Sequence, residues 1–168
     1  MLKFINSRQS VRAWTDRKVP PSLVAKILEA AMNAPSAGNQ QAWQFLVVTE
    51  KELLGRIADV HPYGAFARKA PCAILVCGDT RLEKYKGLWA EDCSAAIENM
   101  LLAMHALKLG GVWTAIYPLP DRVKNFTRLL KLPRGVVPLA LVPFGYPAAP
   151  LKKRATRYKK ERVHFNSW

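Results

Sequence analysis

At 168 residues, half of them hydrophobic and with twelve prolines spread along its length, the chain is sized for one globular domain over 1–168, and its composition excludes intrinsic disorder. A formal charge of +14, from 26 Lys and Arg against 12 Asp and Glu, favours anionic ligands or surfaces. No uncharged apolar run reaches the eighteen or so residues of a membrane span, and MLKFINSRQS holds no signal-peptide core, so a soluble, cytoplasmic protein with no membrane partner is expected.

The first stretch with chemical character is SRQSVR, residues 7–12, where Arg8, Ser10 and Arg12 alternate and share one side of an extended chain. Two guanidinium forks and a hydroxyl suit a dianionic phosphate; the alternative is two exposed arginines without a ligand. Residues 18–34 follow, with Pro20, Pro21 and Ser22 opening an amphipathic helix through Leu23, Ile27, Leu28 and Ala31. That helix delivers the chain to APSAGNQQAW, residues 34–43, which gathers small, turn-forming and amide residues ahead of a β-branched run. It reads as a binding loop.

Residues 45–49, FLVVT, suit a buried strand, and 50–60 return to helical spacing through Leu53, Leu54 and Ile57. His61, before Pro62, reads as a loop residue. CAILVC at 72–77 makes a second buried strand, and the odd count of three cysteines without CxxC spacing points to reduced, buried thiols. Residues 89–109 form the strongest helix, apolar on more than one face, so that it asks for the sheet on one side and another element, a second subunit among the options, on the other. On it, His105 reads as a satisfied core histidine, and Asp92 and Glu98 as helix-end charge or surface polarity. Strands at 112–116 and 138–144 flank a helix at 121–132. Four strands alternating with helices describe an α/β or α+β sandwich.

The last seventeen residues crowd Lys152, Lys153, Arg154, Arg157, Lys159, Lys160 and Arg162 ahead of VHFNSW. A solvated basic face, a phosphate clamp and a nucleic-acid patch compete for them, and the closing Phe165 and Trp168 argue that the tail docks somewhere. The chain lacks Walker A, GxGxxG and GxSxG patterns, and its three histidines are too isolated for a zinc site. Asn39, Gln40 and Gln41 beside Trp43, with Trp89, Trp113 and Tyr117 elsewhere, offer edge hydrogen bonds and apolar walls to a planar heteroaromatic ligand, or are simply core fillers.

Five motifs in order, SRQSVR, APSAGNQQAW, GGVWTA at 110–115, FGYP at 144–147 and RVHFNSW at 162–168, together resemble the nitroreductase family of FMN-dependent oxidoreductases over nearly the full length. The resemblance implies an α+β fold, a central, mainly antiparallel sheet flanked by helices, in an interlocked homodimer with FMN at the interface. It implies Arg8 and Ser10 on the FMN phosphate and Arg12 nearer the ring. From the other subunit it brings Pro35, Ser36, Asn39 and Gln41, and it sets Thr114 and Ala115 near the reactive nitrogen. Arg157, or else Arg154, would close on the phosphate. Gln9 and Ala42 stand where the family often has arginine and proline.

The activity implied is transfer from NADH or NADPH, through FMN, to a nitroaromatic, quinone or similar small-molecule acceptor, with no catalytic side chain and no metal. FMN storage and enone reduction are alternatives on the same scaffold. A basic nucleic-acid-binding module is the rival from another class, and nucleic acid is not the expected partner.

Overall fold

The computed structural model describes residues 1–152, 155 and 157–168. Its elements are α1 (Leu2–Ser7), α2 (Pro21–Met32), β1 (Trp43–Val48), α3 (Lys51–Val60), β2 (Cys72–Asp79), α4 (Trp89–Ala106), β3 (Gly110–Gly111), β4 (Thr114–Ala115), α5 (Pro120–Leu130) and β5 (Val136–Gly145). Single 3-10 turns lie at Ala37–Asn39, Ala65–Lys69 and Lys160–Arg162. The strands form one sheet in the order β1-β2-β5-β3, with β4 also on β5, and every pairing is antiparallel. The fold is therefore α+β, with helices on both faces of an antiparallel sheet.

β2 is the centre of this arrangement because CAILVCGD offers apolar side chains to both faces, and all eight residues are buried. Cys72, Ile74 and Val76 face the core shared with α2 and α4, whereas Ala73, Leu75 and Cys77 face the core shared with α3 and α5. Burial pushes the Cys72 and Cys77 thiols up to about 12, and burial together with the neighbouring Cys77 and Asp92 pushes Cys93 higher still, so all three are protonated near neutral pH. The second apolar side of α4 is met within the chain: α2 packs along it, and Asn99 Nδ2 donates to Ala30 O at 3.0 Å.

Several local expectations are corrected. β1 is an edge strand, with Leu46 37% and Val47 36% exposed, and not a buried one. The strand expected at 112–116 is two short pieces in one continuous register with β5: Val112 N donates to Pro143 O, but Pro143 has no N–H to return, and the ladder breaks there. α1 was not foreseen; it has no side-chain cap and buries none of its residues. His61 ends α3 as a buried residue, and His105 is half-buried under α1 rather than in the core.

Candidate functional site

The SRQSVR segment runs along the free side of β3. Val11 is buried and its N–H donates to Gly111 O at 3.0 Å, which turns the neighbouring Ser10 and Arg12 outward. Trp14 locks the segment: its Nε1 donates to Gly110 O at 2.6 Å, and its backbone bridges Pro147. Arg12 lies over the Phe66 ring at 5.9 Å, while Arg8 pairs with Glu98 on α4 at 3.3 Å. Gln9 Nε2 donates to Lys152 O, so the start of the basic tail is tied beside the two arginines. Arg157 follows in the tail as an exposed residue, and Arg154 lies outside the described residues.

The APSAGNQQAW loop is organised by Asp92, expected as helix-end charge or surface polarity, and by Gln40, expected to offer edge hydrogen bonds to a planar ligand; both are spent inside the protein. Asp92, buried in the first turn of α4, accepts Ala37 N at 2.8 Å on one oxygen and Gln40 Nε2 at 2.6 Å on the other. Gln40, also buried, uses its carbonyl to accept Lys84 N at 2.9 Å and Tyr85 N at 3.1 Å. A signal for Asp92 was present: it falls at helical spacing with Trp89 and Ala96, on the apolar stripe, where a solvated acid has no place.

With its base fixed in this way, the loop holds unusual backbone. Gly38, Asn39 and Gln41 have φ of 52°, 53° and 50°, the left-handed region, and a Cβ on Gly38 would meet Tyr85 Cε2 at 2.3 Å. Ser36 Oγ accepts Gln41 N, and Gln41 Nε2 donates to Asn39 Oδ1 at 2.9 Å. Pro35, Asn39 and Gln41 are exposed and Ser36 half-buried, so the loop presents its polar groups outward.

Thr114 and Ala115 lie between these two regions. Thr114 Oγ1 donates to Leu141 O at 2.6 Å and is spent on the sheet. The Ala115 carbonyl is fixed by His61 Nε2 at 3.1 Å and Arg122 Nη1 at 2.8 Å, while the exposed Ala115 side faces a cavity of about 710 Å³ with Ala90, Glu91, Ser94, Trp113, Tyr117 and Leu139. His61 Nδ1 accepts Tyr63 N, so the ring is a neutral Nε2–H tautomer, and burial holds its pKa below the usual 6.5.

The sheet register shows what one chain brings together. Gly111, which holds the arginine segment, pairs with Phe144, and Phe144 pairs with Cys72. The loop joins the other end: Asp79 N donates to Ala42 O at 2.6 Å, and Trp43 pairs with Gly78. Six residue steps along β2 separate the two, roughly 20 Å at 3.3 Å per residue. Thr114–Ala115 is three steps from Gly111, roughly 10 Å, on the same run of chain. One copy therefore holds its arginine segment and its own loop at opposite ends of the sheet, with Ala115 between them, since its partner Ala140 pairs with Val76.

Comparison with known proteins decides the family, since the nitroreductase family model matches residues 5–62 and 59–146. This chain belongs to the nitroreductase family. A relative from Methanothermobacter thermautotrophicus, carrying the provisional name NADH dehydrogenase/NAD(P)H nitroreductase, is 47% identical over 170 residues, covering 100% of this chain and 87% of the relative. The FMN reductase [NAD(P)H] of Bacillus subtilis is 27% identical over 88% of this nitroreductase-family chain and 66% of its own. Among solved structures, an FMN-dependent nitroreductase from Clostridium difficile superposes with a TM-score of 0.92 at 29% identity, covering 100% of each chain.

Proposed function

We propose that the 168 residues act as a single FMN-binding domain, in the cytoplasm, and that two copies form a homodimer with FMN at their interface. In this reading the enzyme takes electrons from NADH or NADPH and delivers them to a nitroaromatic, quinone or similar acceptor. The observation that carries it is the separation of the donor set along β2, with Arg8, Ser10 and Arg12 beside one end and Ser36, Asn39 and Gln41 at the other, roughly 20 Å apart. A loop so strained, yet directed outward, is suited to a ligand held by another copy. The exposed edge of β1 and the tail side chains Phe165 and Trp168, 82% and 100% exposed, are further apolar surface that a second copy would cover.

The residues present fit FMN. Arg8 and Ser10 match a dianionic phosphate, Gln9 ties the start of the tail at Lys152 beside them, and the distance to the Thr114 region suits a ribityl chain. FMN, when bound, supplies the two-electron chemistry between nicotinamide and acceptor. The chain binds and orients: Arg12 holds positive charge near the ring, Pro35, Ser36, Asn39 and Gln41 of the second copy close over it, and the carbonyl of Ala115 is kept immobile by His61 and Arg122. Because the thiols are buried and protonated, none competes as a nucleophile.

The test is direct. Purified protein is expected to be yellow, to release FMN on denaturation, and to bleach anaerobically with NADH or NADPH before reoxidation by nitro compounds, quinones or enones. Colourless protein that takes up no added FMN would overturn the reading; flavin that stays oxidised under both nicotinamides would leave a storage role in its place.

A further inference from the structure

The cavity beside Ala115 has a chemical bias of its own. Its walls are the small side chains Ala90 and Ala115, Leu139, the aromatic rings of Trp113 and Tyr117, Ser94 and Glu91. Trp89 meets the Tyr117 ring edge-on at 4.8 Å and fixes that wall, and Trp113 is 36% exposed. Ser94 Oγ donates to Ala90 O at 2.6 Å, so it offers a ligand only lone pairs. The donors left on the walls are the Tyr117 hydroxyl and the Trp113 Nε1–H, both neutral. In a chain of charge +14, Glu91 is, among the described residues, the one charged side chain lining this cavity. The nearest guanidinium in the hydrogen-bond network, Arg122, is turned to the Ala115 carbonyl and the Tyr63 ring, at 5.4 Å from its centroid, and is not part of the wall.

From this we infer that the cavity admits flat aromatic acceptors that are neutral or cationic, and that Glu91 is the residue that turns anionic ones away. The inference rests on the oxidoreductase reading for the word acceptor, but the bias is a property of the cavity itself. Aromatic walls and two neutral donors suit a ring bearing a nitro or quinone oxygen. A carboxylate or sulfonate on that ring would meet Glu91, while the Arg122 guanidinium is held behind the wall on the Ala115 carbonyl, although the rest of the molecule attracts anions over longer range. The short-range term decides the bound state, because an exposed charge loses its reach beyond about 10 Å at ordinary ionic strength.

Three compounds with one core test it: 4-nitrobenzyl alcohol, 4-nitrobenzoate and 4-nitrobenzyl-trimethylammonium. Their dissociation constants are read from quenching of tryptophan fluorescence, with Trp113→Phe identifying the local signal, and their kcat/KM values are read separately on flavin-loaded protein. The neutral and cationic compounds are expected to bind about five-fold or more tighter than the anion in 0.1 M salt. Glu91→Gln should bring the three together, while Glu52→Gln, a remote acid in the first turn of α3, should leave the order unchanged. Binding of 4-nitrobenzoate as tight as that of the alcohol, or an order unaffected by Glu91→Gln in protein with native circular dichroism, would overturn the inference. Failure of NADH and NADPH to bleach the flavin would count against the oxidoreductase reading alone, since the fluorescence arm needs no turnover.

Discussion

At the scale of single residues, the binding loop depends on a carboxylate whose two oxygens have different duties. Asp92 accepts one main-chain and one side-chain N–H in a buried place, and asparagine at that position has only one carbonyl oxygen to offer. Asp92→Asn is therefore expected to cost about 2–3 kcal/mol in urea unfolding and to weaken FMN retention, although the shape is unchanged. Arg8→Ala is expected to raise the FMN dissociation constant roughly ten- to a hundred-fold, the worth of a charge-assisted bond, while Arg157→Ala has a smaller effect. Equal effects would place the weight of phosphate binding in the tail. His61 adds a pH dependence: its folded pKa lies below its unfolded one, so its contribution is complete above about 6.5 and is lost as pH falls from there through the folded value. His105, lowered by burial and by Arg8, acts in the same direction. Unfolding followed from pH 7.5 to about 5 should show stability declining, with a shallower slope in His61→Gln.

Among the elements, those with a strong period were legible in the sequence. α2, α3, α4 and α5 carry apolar residues at helical spacing, and CAILVC is continuous enough to name β2. The elements that escaped are those made by partners far away in the chain. α1 is six residues long with no buried side chain, and is held by Phe4 stacking on His105 at 4.9 Å and by Ser7 Oγ accepting His105 Nε2–H at 2.7 Å. Nothing local announces it. The break between β3 and β4 depends on a proline thirty residues on, and the burial of His61 depends on Ala115. Of the candidate site, the arginine, hydroxyl and loop residues were legible as residue types; Asn39 and Gln41 are exposed, whereas Gln40 is buried. Their anchors were misjudged, Asp92 as helix-end or surface polarity and Gln40 as a donor to a ligand edge, because only the packed helix shows that both are buried and bonded to each other. Gly38→Ala tests the loop's geometry: with φ of 52° and Tyr85 in the way, it is expected to cost about 1–2 kcal/mol and to lower FMN occupancy.

At the scale of the molecule, the sheet acts as a spacer. It holds the arginine segment at one end and the loop at the other, which is the basis of the proposal that a site needing both would be completed between copies. Among the described residues no helix is long and apolar enough to cross a membrane, and exposed large apolar residues are scattered over α1, β1, the loops, the tail and the cavity wall. The start of the basic tail, at Lys152, is tied beside Arg8 through Gln9.

Subunit complementation reaches this claim most directly. One variant carries Arg8→Ala and Arg12→Ala, the other Ser36→Ala and Asn39→Ala, and each alone is expected to retain little FMN. Mixed, unfolded and refolded together, they form dimers of which about half are hybrids, each with one intact site, so that about one quarter of all sites should bind FMN with unaltered affinity. Recovery of that quarter is the predicted result. No recovery from the mixture, or full FMN binding by a monomer, would contradict a site shared between two copies.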